Sequence, residues 1–157
     1  MTSSVFSYQK AKVIQALRYH FITRKEIKIL IILVNVFALA SAVLFFIKRI
    51  SPVAFMTGSI VWFMIMLAFW FMLPYSIYKR SKTFLDSFTA TLDTDMTIEN
   101  ERGRKTWQWK EFRSFMESPH FFHLYFDARS FFLIPKSAFE GDDVHEARRI
   151  FKEKISS

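Results

Sequence analysis

Residues 29–47, ILIILVNVFALASAVLFFI, form a stretch of nineteen residues without a charge. After five intervening residues a second uncharged stretch follows, VAFMTGSIVWFMIMLAFWFMLPYSI, residues 53–77. The hydrocarbon core of a bilayer is about 30 Å thick and is crossed by roughly 20 helical residues. Both stretches are long enough to cross, and residues 48–52 leave room only for a tight turn. The sequence therefore predicts a transmembrane helical hairpin within residues 29–82.

Basic residues flank this hairpin unevenly. Nine lysines and arginines lie within residues 10–28 and 79–82, whereas the turn contains only Lys48 and Arg49. Short loops rich in lysine and arginine stay on the cytoplasmic side of a membrane. We therefore expect a multi-pass membrane protein with both termini in the cytoplasm.

A cleavable signal peptide is the competing interpretation of the first stretch, because Ala38-Leu39-Ala40 resembles a cleavage site. However, 28 residues precede the stretch, and its apolar run continues to Ile47. Both lengths exceed those of a usual signal peptide. They favour a retained span.

The net charge of +8 comes from the part of the chain around the spans. Residues 1–82 contain eleven lysines and arginines against one acid, whereas residues 83–157 contain eleven against thirteen. A basic excess confined to the flanks of the spans indicates a lipid surface as the partner, and not nucleic acid.

The N-terminal segment, residues 1–28, is predicted to be basic and amphipathic. Val13, Leu17, His20 and Phe21 fall on one stripe of a helix, with basic residues elsewhere around it. Such a helix beside a membrane usually lies in the interface. The alternative is that it packs on the C-terminal domain and extends the first span.

The period of the sequence changes to two after Ser81, which predicts strands in a C-terminal domain, residues 83–157. The expected strands are residues 84–92, 96–100, 105–107, 112–117, 121–126 and 131–134, with a short turn at residues 109–111. A final amphipathic helix is predicted, capped by Asp143 with Glu146 three residues later. We therefore expect an α+β domain in which one antiparallel sheet is closed by a single helix.

Three phrases stand out in this domain: Met96-Thr97-Ile98, the run TWQWKEF at residues 106–112, and the run FLIPKSAF at residues 132–139. In this order and spacing they resemble the YcxB-like family of small bacterial membrane proteins. Their order, together with the basic N-terminal segment and the hairpin, extends the resemblance over nearly the whole chain. The resemblance implies a cytoplasmic domain similar to pleckstrin-homology (PH)-like modules, in a bacterial inner membrane. It implies no catalytic residues.

Three residues are candidate contacts for a partner or lipid: Lys110, Lys136 and Trp109. Lys136 follows Pro135 at the end of a predicted strand, where a lysine near a membrane could hold a lipid phosphate. The alternative is that Pro135 ends the strand and Lys136 is solvated. Trp107 and Trp109 point to the same face of a strand, for which core packing is the default.

Catalytic, cofactor and metal sites find no support in the sequence. The chain has no cysteine, and its three glycines are too far apart for a phosphate-binding loop. His120 and His123 would face opposite sides of a strand, and no other residues complete a ligand set. We expect no enzyme activity, no cofactor and no small-molecule substrate.

The expected function is that of a membrane-anchored interaction module. Its cytoplasmic PH-like domain would bind a protein partner or membrane lipid, or would associate with a second copy. The alternative is an immunity, protective or regulatory role against a membrane-active toxin or stress. Nothing in the sequence names a toxin.

Overall fold

The computed structural model describes residues 1–155 and places them in an α+β fold. Contacts divide the chain into two compact units. The helical unit comprises Leu17–Arg80, and the other unit combines Met1–Ala16 with the chain from Ser81 onward. The second unit is therefore assembled from two segments that are far apart in sequence.

Two long helical segments dominate the helical unit, and both are long and apolar enough to cross a membrane. The first contains no buried residue, so its apolar side chains are all at least partly exposed. A π-helical turn, Ala68–Met72, interrupts the second. The α-helices within residues 1–80 are α1, Lys10–Thr23; α2, Lys25–Phe46; α3, Pro52–Leu67; and α4, Leu73–Arg80. The boundary between the two units falls within α1.

The turn between α2 and α3 is as tight as the sequence predicts. Lys48 adopts a left-handed backbone conformation with φ of 59°, and the N–H of Arg49 donates to the carbonyl of Leu44 at 2.8 Å. The hydroxyl of Ser51 then accepts from the N–H of Ala54 at 3.2 Å, and Pro52 occupies the first helical turn. This is an ordinary N-cap followed by proline, which starts α3 immediately.

Arg18 supplies a hydrogen bond that the backbone of the second long helix lacks. Trp70 lies four residues before Pro74, and proline has no N–H, so the carbonyl of Trp70 has no α-helical donor. The Nε of Arg18 donates to that carbonyl at 2.8 Å. Its guanidinium carbon also lies 5.4 Å from the centre of the Trp70 ring and 5.1 Å from that of Phe71. One side chain of α1 thereby satisfies and covers the helix just before the proline.

The sheet unit contains two three-stranded antiparallel sheets, where the sequence predicted one. In each sheet the strands follow one another in chain order. The strands of the first sheet are β1, Thr89–Leu92; β2, Met96–Asn100; and β3, Gly103–Trp107. Those of the second are β4, Ser114–Glu117; β5, Phe121–Tyr125; and β6, Phe131–Pro135. Alternation along a strand indicates which side chains are buried but not which strands pair, which explains the error.

The first strand is shorter than predicted. Residues 84 and 85 belong to a 3-10 turn, Lys82–Leu85, and the strand begins only at Thr89. The expected alternation is kept where the strand exists, because Ala90 and Leu92 are buried and Thr89 and Thr91 are only partly covered.

The N-terminal residues pair with β1, which the sequence analysis did not foresee. The N–H of Phe6 donates to the carbonyl of Phe88 at 2.8 Å, and the N–H of Phe88 returns a bond of 2.9 Å to Phe6. The N–H of Ser3 donates to Ala90 at 2.8 Å. Tyr8 follows, and its hydroxyl donates to the carbonyl of Leu133 at 2.8 Å. The N-terminal segment therefore extends the first sheet and reaches the second.

Helix α5, Asp143–Ile155, covers the core of the sheet unit with Ala147, Phe151 and Ile155. Phe151 is fully buried, with its ring centre 5.2 Å from that of Phe122 and 5.5 Å from that of Phe115. The predicted cap is wrong by one residue. The helix begins at Asp143, and the carbonyl of Asp142 accepts from the N–H groups of His145 and Glu146.

Candidate functional site: a basic groove at the edge of the first sheet

The sheet unit has a groove of about 450 Å³ beside β3. We call it the basic groove. Its apolar floor is formed by Phe88, Ile98, Trp107 and Phe132. Its rim carries four cations, Lys82, Arg102, Arg104 and Lys105, together with Asp86.

The turn between β2 and β3 places the arginines of the rim. The side-chain oxygen of Asn100 accepts from the N–H groups of Arg102 and Gly103, both at 3.0 Å. Gly103 has φ of 155°, which side-chain-bearing residues rarely adopt. The chain therefore reverses sharply at this point, and β3 lies at the edge of the first sheet, with every residue before Trp107 exposed.

Positive charge dominates the groove. Asp86 is the one acid among its lining residues, and its carboxylate lies 3.2 Å from Arg102. The Nζ of Lys105 lies 5.0 Å from the centre of the Trp107 ring, where rim and floor meet. With Asp86 balanced by Arg102, three further cations remain among the lining residues. An anionic ligand fits this charge distribution.

The predicted contact residues lie elsewhere. Trp109 is 8% exposed, its indole N–H donates to the carbonyl of Asp93 at 3.0 Å, and its ring packs beside Phe112 and Phe151. This geometry makes Trp109 a core residue. Lys110 is exposed on the neighbouring 3-10 turn, Trp109–Glu111, which confirms the turn predicted there. Neither residue lines the groove.

Lys136 belongs to an ion network around Glu117. The Nζ of Lys136 lies 2.7 Å from the Glu117 carboxylate. Arg148 of α5 binds the same carboxylate in bidentate fashion, with Nη2 at 2.7 Å and Nε at 2.9 Å from its two oxygens. The hydrogen bond from Arg148, aided by Lys136, lowers the pKa of Glu117 to about 2. This network ties β4, the end of β6 and α5 together.

We expect Glu117→Gln to destabilise the sheet unit by about 1 to 2 kcal/mol at pH 7. The value is modest because 27% of the Glu117 side chain is exposed, so water screens the charges. Since folding lowers the pKa from 4.5, the network stabilises the fold above about pH 4.5 and loses that effect as the pH falls towards 2. Urea unfolding at pH 7 and pH 3 measures this difference.

The exposed Glu140→Gln is the control, with an expected change below about 0.5 kcal/mol at either pH. A cost for Glu117→Gln that is the same at pH 7 and pH 3 would contradict the assignment.

Sequence reasoning missed the cations of the groove because they come from separate elements. Lys82 follows the last membrane-length helix, and Arg102, Arg104 and Lys105 surround one turn. One signal was available, since three bases within four residues precede Trp107 on a strand that lacks apolar alternation. Such a strand is an exposed edge.

In the comparison with protein families, residues 92–151 match the family model described as YcxB-like protein. The match confirms the resemblance noted from the sequence over these residues. The matched region runs from the end of β1 into α5 and includes β3 and Phe132. Neither a curated protein nor a solved structure matches the chain.

Proposed function

From the YcxB-like domain at residues 92–151, we propose that this chain is a non-enzymatic, multi-pass protein of the bacterial inner membrane whose cytoplasmic domain binds anionic lipid headgroups. We further propose that the two sheets closed by α5 form a PH-like domain. The observation that carries the proposal is the basic groove, whose lining residues include four cations and one acid.

Membrane insertion is supported by the exposure of the two long helical segments. α2 has 22 residues and is therefore about 33 Å long, which matches the hydrocarbon thickness. No residue of α2 or α3 is buried, whereas the central helix of a water-soluble protein buries its apolar side chains. A bilayer is the environment that removes this surface from water.

Chain connectivity links one residue of the groove directly to the second proposed span. Lys82 follows the end of α4 at Arg80 by two residues, which span about 7 Å at most. Each lysine or arginine close to an anionic membrane surface contributes about 1 kcal/mol of attraction. A cationic groove that begins at the membrane exit is therefore suited to lipid phosphates.

The first test compares two charge-reversal variants of the full chain in a neutral detergent. Arg104→Glu/Lys105→Glu alters the groove, whereas Lys152→Glu/Lys154→Glu makes the same change of charge on exposed residues of α5. Native mass spectrometry measures adducts with phosphatidylglycerol and phosphatidylcholine. We expect the groove variant to lose at least about tenfold in phosphatidylglycerol affinity and the α5 variant to stay near the unaltered chain.

An equal loss of phosphatidylglycerol affinity in both variants would mean that only the net charge of the chain matters. That result would contradict a binding site in the groove. If the unaltered chain does not prefer phosphatidylglycerol, lipid binding by this domain is wrong. A protein partner or a protective role would then be the better hypothesis.

The absence of cysteine from the chain allows a direct test of its orientation. We expect a membrane-impermeant maleimide to label Arg49→Cys, in the turn of the hairpin, in intact spheroplasts. The exposed Lys152→Cys is expected to react only after the membrane is permeabilised, because nine flanking basic residues favour the cytoplasm for both termini. Labelling of Lys152→Cys in intact spheroplasts would reverse the proposed topology.

A further inference from the structure

We propose that the basic groove binds both the phosphate and one acyl chain of a membrane phospholipid. The phosphate would lie on the cationic rim and the acyl chain on the aromatic floor. The inference rests on the proposed headgroup binding and adds the acyl chain to it. Such a domain would draw one acyl chain of a lipid out of the bilayer. A domain that binds headgroups alone would leave both acyl chains in place.

The floor of the groove is apolar and aromatic. Phe132 lies between two other rings, with its centre 6.0 Å from that of Phe88 and 5.7 Å from that of Trp107. Phe132 and Trp107 are only half-buried, so part of each ring faces the groove. A phosphate gains nothing from these rings, whereas an acyl chain removes their exposed apolar surface from water.

The groove is also larger than a bound phosphate alone would need. Its volume of about 450 Å³ falls within the roughly 300 to 1,000 Å³ typical of pockets that enclose small organic ligands. Such pockets combine mainly apolar walls with a few placed polar groups, and the basic groove has this composition.

Lys105 fixes the expected orientation of the lipid. Its Nζ lies above the Trp107 ring at 5.0 Å from the ring centre, so the charge sits at the boundary of rim and floor. Lys105 pairs with Ile98 of the groove floor across the edge strand and lies on the same face as Trp107. A phosphate bound by Lys105 places the first methylenes of its chain against Trp107. The chain then continues towards Phe132.

The test uses the full chain labelled with 5-fluorotryptophan in phosphatidylcholine nanodiscs. The ligands are glycerol 1-phosphate and butyl, hexyl and octyl phosphate, which share a phosphate monoester and differ in the alkyl chain. The ¹⁹F resonance of Trp107 is assigned with Trp107→Phe. Trp62 and Trp70 of the helical unit and the buried Trp109 report any effect of ligand that merely enters the nanodisc.

We expect the Trp107 resonance to shift while the other three stay in place. The apparent affinity should rise by up to about fourfold for each added methylene, which is the full hydrophobic contribution of one buried CH₂. Hexan-1-ol, which has the chain without the phosphate, should bind at least about tenfold more weakly than hexyl phosphate.

The outcomes separate the two proposals. Equal affinity for glycerol 1-phosphate and all three alkyl phosphates would overturn the acyl-chain inference and leave headgroup binding intact. Equal binding of hexan-1-ol and hexyl phosphate would overturn the role of the rim. If no ligand shifts Trp107, headgroup binding in the groove is wrong as well.

Discussion

Replacing Phe6 by alanine is expected to destabilise the sheet unit by about 3 to 4 kcal/mol. The Phe6 ring is 5% exposed and packs between Tyr8, with ring centres 5.8 Å apart, and Phe88, with ring centres 6.2 Å apart. Removing it leaves a cavity in the joint between the N-terminal segment and β1. The measurement is urea unfolding of the full chain in nanodiscs, followed by tryptophan fluorescence.

Val5→Ala is the matched control for this prediction. Val5 is the preceding residue and is 73% exposed, so its truncation should change the free energy of unfolding by less than about 0.5 kcal/mol. Similar small changes for both variants would contradict the N-terminal segment as a component of the sheet unit. A larger loss of stability for Phe6→Ala is expected because Phe6 lies in the paired part of the segment, where Thr2 bridges to Thr91 and Phe6 to Phe88.

Truncation of Arg18 to alanine is expected to destabilise the helical unit by about 2 to 3 kcal/mol, because the Trp70 carbonyl then loses its donor. The proposed membrane insertion makes a carbonyl without a donor especially unfavourable, because water does not replace the lost bond in a bilayer. Loss of the guanidinium from the faces of Trp70 and Phe71 adds about 0.5 to 1 kcal/mol to the effect.

A double-mutant cycle with Pro74→Ala isolates the role of the carbonyl. Alanine at position 74 supplies the missing N–H, so Arg18→Ala should cost only about 1 kcal/mol in that background. Thermal unfolding in detergent, followed by far-ultraviolet circular dichroism, gives the four free energies. If Arg18→Ala costs the same with and without Pro74, Arg18 acts through packing alone, and its role as a replacement donor is wrong.

Local features of the fold could be predicted from the sequence because each has a short-range physical cause. Two uncharged stretches give two long helices, and the acidic start and apolar face of α5 give a helix close to its observed bounds. The strand predicted at residues 96–100 coincides with β2. Patterns of this kind are contained within one element and do not depend on the rest of the chain.

Pairings between distant residues could not be predicted in the same way. The segment around Thr2, Ser3 and Ser4 is polar and has the composition of a loop, yet its backbone pairs with a strand almost ninety residues away. The division into two sheets likewise depends on which strands become neighbours. Sequence periodicity contains no information about that choice.

The candidate site illustrates the same limit. Lys136 was recognisable as a cation beside a strand end, but its carboxylate partner, Glu117, belongs to another strand. Trp109 was a candidate contact, and its burial depends on packing against α5. The basic groove combines Lys82, the turn at Arg102 and Phe132 of β6, which only the folded chain brings together.

Photocrosslinking in native bacterial membranes tests whether the basic groove holds an anionic phospholipid. p-Benzoylphenylalanine at Phe132, on the floor of the groove, keeps an aromatic side chain and all four rim cations. The matched position is Phe115, which is also half-buried but packs beside Phe122 and Phe151. We expect anionic phospholipid adducts at position 132 and none at position 115. Crosslinks at position 132 to a protein, with no lipid adduct, would contradict it.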